Sequence, residues 1–441
     1  MKVIIFMLLL IIPFIGFGQG WEKVISPGGG DKEGNSVQQT VDGGYIVCGY
    51  WNNQTGNSSD LCLIKTDDKG DTLWTKVYGG VNSERGYSVQ QTIDGGYIAC
   101  GGTMDVFLVK TDGNGVEQWN QTFGGTGTDR GYCVQQTTDG GYIICGGTSS
   151  NTTGPWDSDV YLIKTDGNGI EQWNQTFGGT SNDLGRSVKQ TIDGGFIISG
   201  YTESFNTLNL NGAYSLYLIK TDGNGIEQWN QIFGDTLVQG YSVQQTSDGG
   251  YIVSGTRESP ENSQSDIYLI KTDGSGLEQW SQIVGSTDCN EKGYSVQQTL
   301  DGGYIVTGKK EDIDDYGVDG NSDVYLIKTD GNGIEQWNQT FGGTGTDIGN
   351  SVKQTSDGGY IITGETEDVF IPGVNGEKNI YLIKTDGNGN VTSTFNIPNP
   401  SSNKKLEKVF DMLGRETKAP KNTPFIEIYD DGSTEKKIVI D

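Results

Sequence analysis

The sequence predicts an all-β fold: a seven-bladed β-propeller of four-stranded antiparallel blades, followed by a short β-rich C-terminal extension. Three observations carry that expectation. Asp-Gly-Gly followed by an aromatic residue and Ile begins at Asp42, Asp94, Asp139, Asp193, Asp248, Asp301 and Asp357, seven times at intervals of 45 to 56 residues. Each copy is built from segments of four to eight residues, rich in β-branched and aromatic side chains and bounded by glycine, and no apolar 3.6-residue period persists beyond the first 18 residues. A unit of about 50 residues with aromatics on both faces cannot bury them alone, whereas radial stacking hides both faces and protects the sheet edges. An open solenoid is the competing array, but its coils are usually shorter, at roughly 20–30 residues.

Within a copy the order is Ser-Val-Gln-Gln (strand A), Tyr-Ile (B), a variable stretch, Tyr-Leu-Ile-Lys (C) and a Trp-centred segment (D) such as 171–177. The Asp-Gly step between A and B suits a type I′ hairpin, which needs positive φ at both central residues. Asp166-Gly167-Asn168-Gly169 and its copies supply a second tight turn between C and D. The lysines before it (Lys65, Lys110, Lys164, Lys220, Lys271, Lys328 and Lys384) are expected to pair with the turn aspartate that follows them. Its EF-hand-like look is superficial, because most of the acidic positions are missing.

Ring closure is also written in the chain. Seven Trp segments occur, at Trp21, Trp74, Trp119, Trp173, Trp229, Trp280 and Trp337, but the first precedes the first Asp-Gly-Gly and the last repeat has none. The strand around Trp21 is therefore expected to become the outer strand of the last blade, with 391–395 as a competitor, leaving no loose edge.

These units look like the Asp-Gly-Gly-Tyr / Leu-Ile-Lys-Thr-Asp repeats of secreted bacterial β-propeller proteins. That resemblance spans about 21–390 and implies a secreted or cell-surface binding scaffold without assigned chemistry. The tail after Phe395 has a Pro398-Asn399-Pro400 linker, then Lys408-Val409-Phe410-Asp411-Met412-Leu413-Gly414-Arg415, Phe425-Ile426-Glu427-Ile428-Tyr429 and a basic-apolar terminus. It resembles the C-terminal sorting domain of the type IX secretion system, which implies that machinery as a partner. Lys2, the apolar run 3–17 and Gly16 and Gly18 read as an export signal. The expected organisation is thus 1–18 signal peptide, 19–396 propeller and 397–441 sorting-like domain, with no transmembrane segment in the mature chain.

Composition narrows the chemistry. The chain has no histidine, which removes Ser-His-Asp and Cys-His sites and imidazole bases. Its 57 acidic against 30 basic residues give a net charge of −27, so a nucleic-acid partner is not expected. Of the six cysteines, Cys48, Cys100, Cys145 and Cys133 stand where other copies carry Ser or Thr, Cys62 replaces an aromatic and Cys289 lies in an inter-blade loop; export would permit Cys133–Cys145 or Cys48–Cys62 bridges.

Specificity is expected on the face carrying the B–C loops and D–A connections, because only there does the sequence vary. Trp51 and Trp156 flank the shortened second-blade loop Gly102-Thr103-Met104, a notch in which two indoles could grip a carbohydrate or protein ligand; pinning of each loop by its own Trp is the plainer alternative. Asp319, Asn321 and Asp323 have calcium-loop spacing without the turn glycine, so calcium is at most a weak cofactor candidate and a solvated acidic loop the default. The D–A acids Glu84, Asp129, Asp183, Glu291 and Asp347, with Asp31 or Glu33 in the first blade, would make an electronegative pore mouth if they converge. A non-catalytic binding or adhesion scaffold is the leading reading. The alternative is an extracellular carbohydrate-active enzyme, a glycosidase or lyase, which would show a non-repeating carboxylate pair in a central cleft.

Overall fold

The computed structural model describes residues 20–391 apart from 27–28, 53–57, 81, 151–156, 206–212, 235–236, 260–263, 287–288, 314–318 and 368–377; beyond these it describes 406–411, 417, 425–429 and 434–437. The export segment and the Pro-Asn-Pro linker lie outside the described residues. No described helix is long and apolar enough to cross a membrane.

Seven four-stranded antiparallel sheets form the ring, at 32–78, 86–123, 129–177, 183–233, 238–284, 289–341 and 347–385, each running A to D from the channel outward. The last blade takes its fourth strand from the N-terminus: Trp21–Ile25 pairs antiparallel with Asn379–Thr385, Trp21 opposite Lys384. That register is the one found inside the other blades, where Trp74 faces Lys65 and Trp173 faces Lys164. Of the competing segment, Val391 packs against the core near Trp337 and 392–395 lie outside the described residues.

Buried C and B strands supply the core, their side chains filling the joints between blades. Each outer-strand Trp then leans on the next blade. Trp173 lies 6.0 Å from Phe196 and Trp229 5.9 Å from Tyr251, ring centre to ring centre. The same indoles cover the second glycine of the C–D turn, so that a Cβ at Gly225 would run into Trp173. At that glycine φ is +78°, so both conformation and space demand Gly.

Two local expectations are corrected. The A–B turn is closed by the Gly43 N–H donating to the Thr40 carbonyl, and the Thr40 N–H donates to the Gly44 carbonyl. The positive φ falls on Gly43, after Asp42. This is the three-residue type I turn with a glycine bulge, not the two-residue I′ hairpin. Asp42 is free to fold back, accepting from the Thr40 hydroxyl at 2.5 Å and from the Gly44 N–H at 3.1 Å. The lysine partner also differs. Lys65 crosses from strand C to Asp42 of the A–B turn (3.1 Å) and donates to the Thr66 carbonyl, and the pattern repeats from Lys110–Asp94 to Lys384–Asp357. The aspartate after it, Asp166 for instance, caps its own turn through the Asn168 and Ile170 N–H groups. The long lysine stem reaches the neighbouring hairpin because the second turn glycine, Gly44, leaves a Cβ-sized gap beside its ammonium.

All six cysteines are free and buried. Cys133 and Cys145 do face each other across strands A and B, whereas Cys48 is opposite Ser36 and Leu63 and not Cys62. Neither candidate bridge is formed.

The contacts divide the chain into Met1–Thr392 and Ser393–Asp441. The second unit holds a three-stranded antiparallel sheet of Leu406–Asp411, Phe425–Tyr429 and Thr434–Lys437.

Candidate functional site

The innermost strands build the site through a repeated irregularity. In every blade the A–B register shifts between a glycine and the following Ser or Cys, as at Gly34/Ser36, Gly185/Ser187 and Gly349/Ser351. The residue between them is a β-bulge, unpaired in the ladder, and a bulge re-aims its side chain. Here seven bulged residues line the central channel: Asn35 and Asn350, four tyrosines and Arg186. Opposite each bulge strand B has a glycine; a Cβ at Gly200 would meet the Leu184 carbonyl.

The bulged aromatics form an arc. Tyr87 and Tyr132 are 5.1 Å apart, and Tyr241 and Tyr294 are also 5.1 Å apart. Arg186 sits between the pairs, its guanidinium 4.7 Å from the Tyr132 ring and 5.8 Å from that of Tyr241, a favourable cation–π arrangement. Its buried Nε has no hydrogen-bond partner. The arc is completed by amides: Asn350 donates to the Gly34 carbonyl (3.1 Å) and to Glu33 (3.3 Å), and Asn35 to the Gly86 carbonyl (2.8 Å). Burial pushes up the phenols of Tyr87, Tyr241 and Tyr294, so they remain neutral donors.

Three residues further along strand A comes a second layer. In five blades a glutamine side chain there accepts from the backbone of the next blade, as Gln38 does from the Gln91 N–H (2.8 Å) and Gln297 from the Gln354 N–H (2.7 Å). Blades four and seven carry lysine instead, Lys189 and Lys353, and both line the channel. Burial, and then the Lys189 ammonium, lower Lys353 to about 8. The cavity has a volume of about 280 Å³, and no carboxylate is among the residues lining it.

The D–A acids do not converge on the pore. Glu84, Asp129, Asp183 and Asp347 each sit at a blade joint with the aspartate near the start of the preceding strand C, both flanking one glycine, and Asp266 acts on Glu291 in the same way. A Cβ on Gly124 would meet Asp105 and Asp129, and one on Gly178 would meet Asp159 and Asp183. Burial, then Asp183 and Asp157, push Asp159 up to about 6. Glu84 is raised by burial and by Asp60. These joint acids are thus dispersed around the ring, because the D–A connection reaches strand A at the joint and not at the axis, whereas Glu33 of the first blade lies beside the channel and accepts from Asn350 (3.3 Å).

Of the sequence-named ligand residues, Trp51 ends strand B of the first blade. Its indole N–H donates to the Gly29 carbonyl (2.8 Å), Lys32 lies 5.7 Å from its ring, and it packs on the joint between blades seven and one. Trp156 lies outside the described residues. Asp319, Asn321 and Asp323 belong to a strand, Asp319–Thr329, that pairs with Tyr304–Ile313. The calcium-loop spacing thus lies on an extended strand; Asn321 donates to the Thr344 carbonyl and Asp323 faces Gly342. Among the described residues no group of three or more His, Cys, Asp or Glu is placed to hold a metal ion.

No family model matches the chain, and no curated protein matches its sequence. Solved structures do align. A protein of unknown function from Bacteroides caccae is 11% identical, covering 73% of this chain and 98% of its own, with a TM-score of 0.39. The WD40 domain of Pan2 from Neurospora crassa is 9% identical over 80% of this chain and 89% of its own (TM-score 0.49), and Sqt1 from Chaetomium thermophilum 10% over 93% and 97% (TM-score 0.46).

Proposed function

We propose that this chain is a non-catalytic binding scaffold, exported and displayed outside the cytoplasm, that holds a carbohydrate or protein ligand on the loop face and channel of its propeller. The observation that carries the reading is where the repeat is broken. Turns, Lys–Asp pairs and Trp joints recur around the ring, and side-chain individuality is greatest in the B–C loops, the D–A connections and the inner strands. Variation on a rigid frame is what a binding surface requires. The channel offers phenols, amides and cations, groups that bind; a glycosidase would want two carboxylates roughly 5–9 Å apart across a cleft. The acids that do pair are repeated at blade joints, which favours a structural role for them. The export-like N-terminus and the sorting-like tail support delivery by the type IX machinery.

The test is a glycan and matrix-protein binding screen of the full chain, run beside hydrolase and lyase assays on the same sugars. Saturable binding without turnover is expected. Turnover of any glycan, or no binding across the screen, would overturn the reading.

A further inference from the structure

We propose that the central channel is a binding site for a small polyanion bearing carboxylate or phosphate groups, held by Lys189 and Lys353 with Arg186 above them. The inference rests on the binding role proposed above and names a ligand class for its channel.

Charge is the first ground. The chain is strongly acidic, at −27, yet its channel is lined by three cations and no carboxylate. Elsewhere its buried cations have partners: the seven repeat lysines each reach an aspartate, Lys65–Asp42 and Lys220–Asp193 among them. Among the described residues Lys189, Lys353 and Arg186 form no ion pair. All three are half-buried, and a charge partly withdrawn from water without a counterion bears part of the cost of burial, which a bound anion removes.

The second ground is what the lysines displace. At the same position five blades carry a glutamine that stitches the ring together, with bonds such as Gln90 accepting from the Gln136 N–H. Lysine has no acceptor and cannot make this link. Two joints of the ladder are given up, and two ammonium groups that share the channel are gained.

Geometry sets the ligand. Strand rise places Arg186 roughly 10 Å from Lys189 along one strand. A ligand with one oxyanion between the lysines can extend its body to the guanidinium and the phenols of Tyr132 and Tyr241. The titratable groups sharing the channel with Lys353 are Lys189, Cys133, Arg186 and the four phenols. Acids act on those phenols from the rim: Glu311, Glu365 and Glu33 on Tyr294, and Glu258 on Tyr241. Carboxylate and phosphate share the required chemistry.

Calorimetric titration of the full chain with citrate, with inorganic pyrophosphate and with glucose tests this at low ionic strength. Saturable binding of citrate, pyrophosphate or both is expected, and none of glucose; which anion binds distinguishes a carboxylate site from a phosphate site. The double variant Lys189→Gln/Lys353→Gln restores the ladder residue of the other blades, so it should melt no lower than the parent. It should bind the anion at least about tenfold more weakly, the scale of losing a charge-assisted hydrogen bond. Absence of anion binding, or equal binding by the variant, would overturn the proposal. If the variant loses the anion while the ligands found in the glycan and protein screen are still held, channel and loop face are separate sites. If no anion binds yet those ligands do, the channel proposal falls and the scaffold reading stands.

Discussion

Trp21, on the N-terminal strand, packs edge-on against Tyr45 of the first blade, ring centres 5.8 Å apart and planes at 68°. The contact joins the last blade to the first, and it repeats the geometry of Trp74 on Tyr97 (5.9 Å, 62°) between blades one and two. Closure therefore uses the same joint as every other blade boundary. Replacing Trp21 by Ala should cost about 2–3 kcal/mol, below the ~3–5 of a fully buried ring because the indole is half-buried. Trp119→Ala, at an internal joint, should cost a similar amount in urea unfolding.

The Lys–Asp pairs should govern acid unfolding. Burial works to raise Asp139, but the Thr137 hydroxyl and Lys164 outweigh it and hold the carboxyl at about 2. A folded-state pKa below the ordinary value gives stability that is present above about pH 4 and lost as pH falls toward 2. Asp139→Asn removes one such contribution. It strands the nearly buried Lys164, and because Asp139 is more than half exposed the cost at pH 7 is about 1–2 kcal/mol. Melting curves from pH 2 to 7 should show a shallower acid slope in the variant.

The joint acids run the other way. Asp159, lifted to about 6 by burial and by Asp183 and Asp157, binds its proton more tightly in the folded state. Its contribution is greatest below the ordinary carboxylate range and is lost as pH rises through 6. Asp159→Asn should accordingly leave stability near pH 4.5 little changed and raise the melting temperature at pH 7.5. An unchanged difference between the two pH values would refute this.

Cys133 marks the one joint where the inner-strand link is different. At six joints a serine hydroxyl accepts from a valine N–H of the following blade, Ser36 from Val89 and Ser187 from Val243 among them. At the seventh the Cys133 thiol instead donates to the Val188 carbonyl at 3.6 Å. Cys133→Ser restores the serine and should raise stability by up to about 1 kcal/mol, the net worth of one hydrogen bond; calorimetry would register it.

The fold was legible because seven copies repeat the same physical solution. Apolar alternation gave the strands, glycine positions gave the turns, and the displaced Trp21 gave the closure. What the repeat obscured was local. Thr40-Val41-Asp42-Gly43 contains Asp-Gly but turns over three residues, and a lysine's partner on a neighbouring hairpin cannot be read from its own neighbours in sequence. The channel was missed for a related reason. Attention to variable loops passed over variation inside the repeat, although Gln→Lys at 189 and 353 and Arg at 186 are visible once the copies are aligned. That the residue between Gly and Ser is bulged into the channel was not legible, since a bulge depends on the facing strand.

Native-state hydrogen exchange on a chain lacking residues 20–26 addresses ring closure most directly. Asn379–Thr385 should lose protection on the edge that Trp21–Ile25 covers, and the ring should be destabilised, while the amides of blades three and four keep their rank order. Undiminished protection of Asn379–Thr385 in the shortened chain would contradict the N-terminal strand as the closing element.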